Sequence, residues 1–241
     1  MDRENTQIST VLDGLMLEMP RGEIELRDDR KKTKWLVEMN PFLISKFPVT
    51  QEVYLFVLQN NPSSFKGAKR PVETVSWFDA VEFCNQLSVK LGLRPCYLLN
   101  GEGADRDETA NGFCLPTEAQ WEYACRADTG KVRYGDIDEI AWYAANSAGS
   151  TQDVGLKKPN SWGTYDMLGN VWEWCEDLYD KEVYGSYRVF RGGGWNDQER
   201  GCLASNRRRS HPTYKIDDLG FRITKAVSRT SPATCDPDRR S

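Results

Sequence analysis

Histidine is almost missing: His211 is the only one in 241 residues, which argues against histidine-based catalysis and against multi-histidine metal sites. Seven cysteines, at positions 84, 96, 114, 125, 175, 202 and 235, contain no CxxC pair for zinc or dithiol redox chemistry and are too few for a disulfide-packed miniprotein. Their odd number leaves at least one thiol free or bonded to another chain. No run approaches the roughly 18 apolar residues of a membrane span. A basic surplus is lacking too: 32 Lys and Arg against 36 Asp and Glu give a net charge of −4, which excludes a general nucleic-acid binder. The start, MDRENTQIST, has neither the basic n-region nor the apolar h-region of a secretory signal. The expectation is a protein that stays inside the cell or has lost a leader.

What is present suffices for a core. Hydrophobic residues make up 39% of the chain and aromatics 11%, and no internal repeat or Gly/Ser linker divides it, so one domain is expected. Two short alternating runs, Gly14–Met19 and Lys34–Met39, read as strands, with the charged segment Arg27–Lys32 between them as a solvated loop. Thr50 opens a first helix through Val53, Tyr54, Phe56, Val57 and Leu58 as a side-chain cap. Pro71–Ser76 reads as an extended run leading into a second helix capped by Ser76, whose buried face carries Trp77, Ala80, Val81, Cys84, Leu87 and Leu91. Asn100–Asn111 is expected to be a surface loop. Thr117 with Gln120 forms a capping box for a third helix. From Gly130 to Phe221 the chain is irregular and rich in Gly, Asn, Ser and Trp, so its peptide groups need side-chain hydrogen bonds or bound metal ions. The last residues, from 226 to 241, read as a loosely held tail.

Several stretches resemble the formylglycine-generating-enzyme or sulfatase-modifying-factor domain family. These are Pro41–Thr50, Pro71–Trp77, Leu115–Ala124 (LPTEAQWEYA), Tyr165–Trp174 (YDMLGNVWEW), Arg191–Trp195 (RGGGW) and Gly220–Arg222. The resemblance covers residues 10–225, after an extension over 1–9, and implies an α+β fold of the C-type-lectin type, with few helices around short irregular antiparallel strands. Catalytic members of the family hold copper between two cysteines five positions apart; in this chain the second matches Cys202 and the first is replaced by Asp197. One thiolate and a hard carboxylate make a poor copper(I) site, so no enzyme activity is expected. A relative that carries three-histidine iron is excluded by the single His211. The resemblance also implies calcium as a structural ion, with Asp166 and Glu173 as carboxylate ligands and Gly169 and Val171 as carbonyl donors, while no other cofactor is required. The alternative for these residues is local hydrogen bonding, with Trp172 and Trp174 in the core.

Residues 194–218 depart most from the family pattern. Some members have this segment hypermutated by a diversity-generating retroelement, and Arg208, Arg209, Ser210, His211, Tyr214, Ile216, Asp217 and Asp218 are permitted products of adenine-directed change at AAY codons. Gln198, Glu199 and Lys215 are not. The expected ligand face comprises Trp195, Asn196, Asp197, Glu199, Arg208, Arg209, Ser210, His211, Tyr214, Asp217 and Asp218. The resulting expectation is a displayed receptor for a protein or cell-surface ligand, exported as a lipoprotein whose leader has been removed. A formylglycine-generating-type oxidase and a non-variable accessory domain of the same family are the alternatives.

Overall fold

The structure, a computed structural model, describes residues 14–100 and 103–227; the expected extension over 1–9 and the tail from 228 onward lie outside the described residues. In chain order the elements are β1 (Met16–Met19), β2 (Gly22–Asp28), β3 (Thr33–Met39), β4 (Phe42–Ser45), α1 (Gln51–Leu58), α2 (Trp77–Lys90), β5 (Tyr97–Leu99), β6 (Ala104–Arg106) and β7 (Phe113–Cys114). There follow α3 (Glu118–Arg126), α4 (Ile137–Ile140), β8 (Trp172–Leu178), α5 (Lys181–Tyr184), β9 (Arg188–Arg191), β10 (Arg207–Ser210), β11 (Leu219–Gly220) and β12 (Thr224–Ala226). One sheet has the order β1-β4-β12-β7 and a second β10-β9-β8-β11, with separate hairpins β2-β3 and β5-β6. Among the described strands all pairings are antiparallel except β11 with β8, so the fold is α+β. Among the described residues no helix is long and apolar enough to cross a membrane.

The capping chemistry explains where α2 and α3 start. Ser76 accepts from Asp79 N while Asp79 reaches back to Ser76 N, and Thr117 and Gln120 form the same reciprocal pair. Thr50 does not cap α1: its Oγ1 has no partner, and its backbone is held instead in a bridge with Pro71. The face of α2 is buried as its spacing predicts, from Trp77 to Leu87, with Leu91 packed at the margin. Trp77, Trp121, Trp172 and Trp174 are fully buried, and each indole N–H has an acceptor: Cys175 O at 3.0 Å, Glu173 Oε2 at 2.7 Å, Asp197 Oδ2 at 2.6 Å and Val75 O at 3.0 Å respectively.

Three further expectations are corrected. The charged segment is not wholly loop, because β2 runs on to Asp28; alternation sends Ile24, Leu26 and Asp28 inward, and Asp28 is buried against Arg207 at 3.1 Å. The polar insertion contains β6, paired with β5. Pro71–Ser76 is not a strand: Thr74 has a φ of 60°, which turns its N–H toward Ile216 O at 3.0 Å.

The irregular stretch beyond Gly130 is held by asparagine side chains. Asn160 donates to Ala124 O at 2.6 Å and Cys125 O at 3.1 Å while accepting from Trp162 N and Thr164 N. Asn170 exchanges a pair of bonds with the backbone of Gln152, at 2.9 and 3.0 Å. Asn146 joins Tyr143 N to Ala141 O. Each carboxamide substitutes for a missing strand neighbour, supplying both donor and acceptor.

Candidate ligand-binding site

The site is built on β10, an edge strand whose register sets Arg207 against Arg191 and Arg208 against Phe190. Successive side chains of a strand leave opposite faces, so the Arg207-Arg208-Arg209 run is split. Arg207 forks onto Glu118 at 2.7 and 2.8 Å and lies 4.4 Å from the Tyr179 ring centre. On the same face, Arg209 lies 3.9 Å from the Tyr184 ring centre and donates to its hydroxyl. Arg208 projects to the other face, 4.6 Å from the ring centre of Trp172, and donates to Asp197 Oδ1 at 3.1 Å. The expected grouping of Arg208 and Arg209 on one surface is therefore corrected by the pleat of the strand.

Asp197 is a structural hub. Its Oδ2 accepts from Trp172 Nε1 at 2.6 Å and from Gly194 N at 2.9 Å, and its Oδ1 is taken by Arg208. Copper(I) does not fit at this place: the carboxylate is committed, and burial pushes the Cys202 thiol up to about 12. The calcium set does not fit either. Glu173 is bound through both oxygens by buried Arg222, at 2.6 and 2.8 Å, and Oε2 also accepts from Trp121. A guanidinium stands where the cation's charge would be. Asp166 accepts from Gly155 N at 2.7 Å and from Asn170, so local hydrogen bonds already engage the second carboxylate.

The segment 211–218 is different, because its backbone is fastened from outside. Trp77 N donates to Pro212 O at 3.0 Å, Thr74 N to Ile216 O at 3.0 Å, Trp172 N to Asp218 O at 2.7 Å and Trp195 Nε1 to Asp217 O at 3.0 Å. The side chains of His211, Thr213, Tyr214, Lys215 and Ile216 nevertheless face solvent, Tyr214 at 41% and Ile216 at 38%. Trp195 is half-buried edge-on to Phe65. Asn196, Glu199 and Arg208 are exposed; Ser210, Asp217 and Asp218 are half-buried. Burial, with Asp197 and Asp217 nearby, raises the Asp218 carboxyl to about 6 against the opposing influence of Arg208.

Beside this loop, Asn196, Gln198, Arg200, Asn206 and Arg208 surround a depression of about 390 Å³ with Asp197 at its wall. Gln198, Arg200 and Asn206 were not anticipated: codon logic favours other positions, whereas the polar, turn-rich text from Asn196 to Asn206 is their only local signal. Glu199, expected on the face, is drawn aside by Arg133 at 2.8 Å.

The sulfatase-modifying factor enzyme 1-like domain model matches residues 9–227. Among solved structures, Treponema denticola variable protein 1 superimposes with a TM-score of 0.81 at 33% identity, covering 88% of this chain and 95% of that one. The chaperone protein LppX of Paenibacillus barcinonensis is 36% identical over 198 residues, which is 66% of this chain and 71% of that protein. The formylglycine-generating enzyme of Streptomyces coelicolor is 31% identical over 153 residues, and the match spans about half of each, 50% of this chain and 49% of the enzyme. With the model matching nearly its whole length, the chain belongs to the sulfatase-modifying factor enzyme 1-like domain family.

Proposed function

We propose that this chain is a non-catalytic ligand-binding and display protein, whose segment 194–218 recognises a protein or cell-surface ligand and is varied by a diversity-generating retroelement. The observation that carries the reading is the separation of roles in 211–218: the backbone is tied to Thr74, Trp77, Trp172 and Trp195, while the side chains of His211, Thr213, Tyr214, Lys215 and Ile216 are exposed, with Lys215 reaching Asp79 at 2.7 Å and His211 bonded to Thr213. Exposed side chains such as Tyr214 and Ile216 are open to replacement, and a rigid backbone presents their successors at little ordering cost. Likeness to Treponema denticola variable protein 1 along most of both chains supports this reading. The replacement of a copper-binding cysteine by Asp197, already committed to Trp172 and Gly194, supports recognition rather than oxidation. The same reading requires no cofactor and no nucleic acid, and it carries with it export to the cell surface, as a lipoprotein.

Two measurements test it. Copper titration with oxygen uptake on a cysteine-bearing peptide should show no metal-dependent aldehyde formation; turnover would refute the non-catalytic assignment. The coding DNA of residues 188–225, compared with a neighbouring near-duplicate, should differ only at template adenines. Differences at other bases would remove the retroelement.

A further inference from the structure

We infer that the depression beside β10 is a carboxylate subsite, which receives an Asp or Glu side chain of the bound protein; the inference rests on the receptor reading above and deepens it. Two guanidiniums border the depression, and their partners differ. Arg208 gives one N–H to Asp197 and lies on Trp172, with 53% of its side chain exposed. Arg200 pairs with no carboxylate among the described residues. Two of the acids nearby are already used, Asp197 by Trp172, Gly194 and Arg208, and Glu199 by Arg133, while Asp218 lies on the Arg208 side. Arg200 thus keeps its donors free in a hollow lined by the carboxamides of Asn196, Gln198 and Asn206, with the committed Asp197 and Arg208 at its wall.

The walls are preorganised. Arg133 donates to Glu199 O at 2.7 Å and Cys202 O at 3.0 Å, and Asn206 donates to Gly201 O at 2.9 Å, which fixes the turn that carries Arg200. A planar guanidinium offers paired donors that match the two oxygens of a carboxylate, and amides complete its remaining lone pairs. About 390 Å³ admits one or two side chains rather than a helix. The chain as a whole carries a net charge of −4, so attraction of an acid into this hollow rests on its local donors and acts at short range.

The probe is N-acetylglutamate N-methylamide, followed by NMR at the Trp172 indole N–H. Saturable binding is expected, at least tenfold weaker for the N-acetylglutamine analogue and for inorganic sulfate, and at least fivefold weaker in Arg200→Gln and Arg208→Gln. Equal binding of the glutamine analogue or of sulfate, or full binding by R200Q, would overturn the assignment. Peptides selected from a random library on the intact protein separate this result from the receptor reading. Selected peptides should contain an acid whose conversion to amide costs tenfold in affinity. Acid-free peptides that still lose binding in Tyr214→Ala would sink the subsite alone, whereas failure to obtain any peptide dependent on either Arg200 or Tyr214 would sink both.

Discussion

Arg222 meets Glu173 through two hydrogen bonds, Nε to Oε2 at 2.6 Å and Nη2 to Oε1 at 2.8 Å, with both side chains buried. The same guanidinium donates to Ser45 O and Tyr165 O, so this pair joins β8, the end of β4 and the chain before Asp166. Glu173→Gln leaves the buried cation without its counter-charge, and a loss of about 3–5 kcal/mol is expected in urea unfolding. Because the guanidinium already neutralises Glu173, calcium and EDTA should leave the melting temperature unchanged. A calcium-dependent rise would contradict this account of the pair.

Outward side chains and anchored ones should separate under substitution. His211→Ala with Tyr214→Ala is expected to change stability by less than about 0.5 kcal/mol while reducing ligand capture. Arg209→Ala is expected to cost about 1 kcal/mol or more, since it removes the contacts with Tyr179 and Tyr184. Thermal melts of the two variants decide the point; equal losses would place the loop side chains in the scaffold.

Cys202 should resist alkylation. Its thiol is buried and pushed up to about 12, so little thiolate exists near pH 8. Peptide mapping after brief iodoacetamide treatment is expected to find Cys202 labelled at least about a hundredfold more slowly in the native protein than in urea. Rapid native labelling would show an accessible, activated sulfur.

Asp218 gives a pH signature. A carboxyl whose pKa is higher in the folded chain than in the unfolded one favours folding in its protonated form. Its contribution is complete below about pH 4 and is lost as pH rises through about 6. Asp218→Asn should therefore remove a slope of the order of 2 kcal/mol over that window. Arg208 opposes the rise, so Arg208→Gln should move the Asp218 carbon resonance titration to still higher pH. A downward shift would mean that Arg208 does not face Asp218.

The parts of this fold legible in the sequence are those whose partners are near in the chain. Ser76 with Asp79, and Thr117 with Gln120, are three residues apart, and the buried face of α2 follows from helical spacing. Likewise Asp197 in place of the first cysteine of the pair follows from the resemblance to the catalytic members, position by position. The burial of Asp28 was not legible, because its partner Arg207 lies 179 residues away. Nor was the division of Arg207, Arg208 and Arg209, which depends on the pairing of β10 with β9. Asn160 and Asn170 carried a general expectation of side-chain support, but the peptide groups that they serve could be named only from the fold.

The register of β10 against β9 has a final consequence for how this surface can change. Arg207 lies toward Glu118 and Arg208 toward Trp172 only because each has its place in the count. One codon inserted ahead of Arg207 would turn Arg207 toward the hollow and set Asn206 against Glu118, and one deleted would set Ser210 where Arg209 meets Tyr184. Substitution at fixed length therefore leaves each side chain on its own face of the strand, whereas a change in length does not.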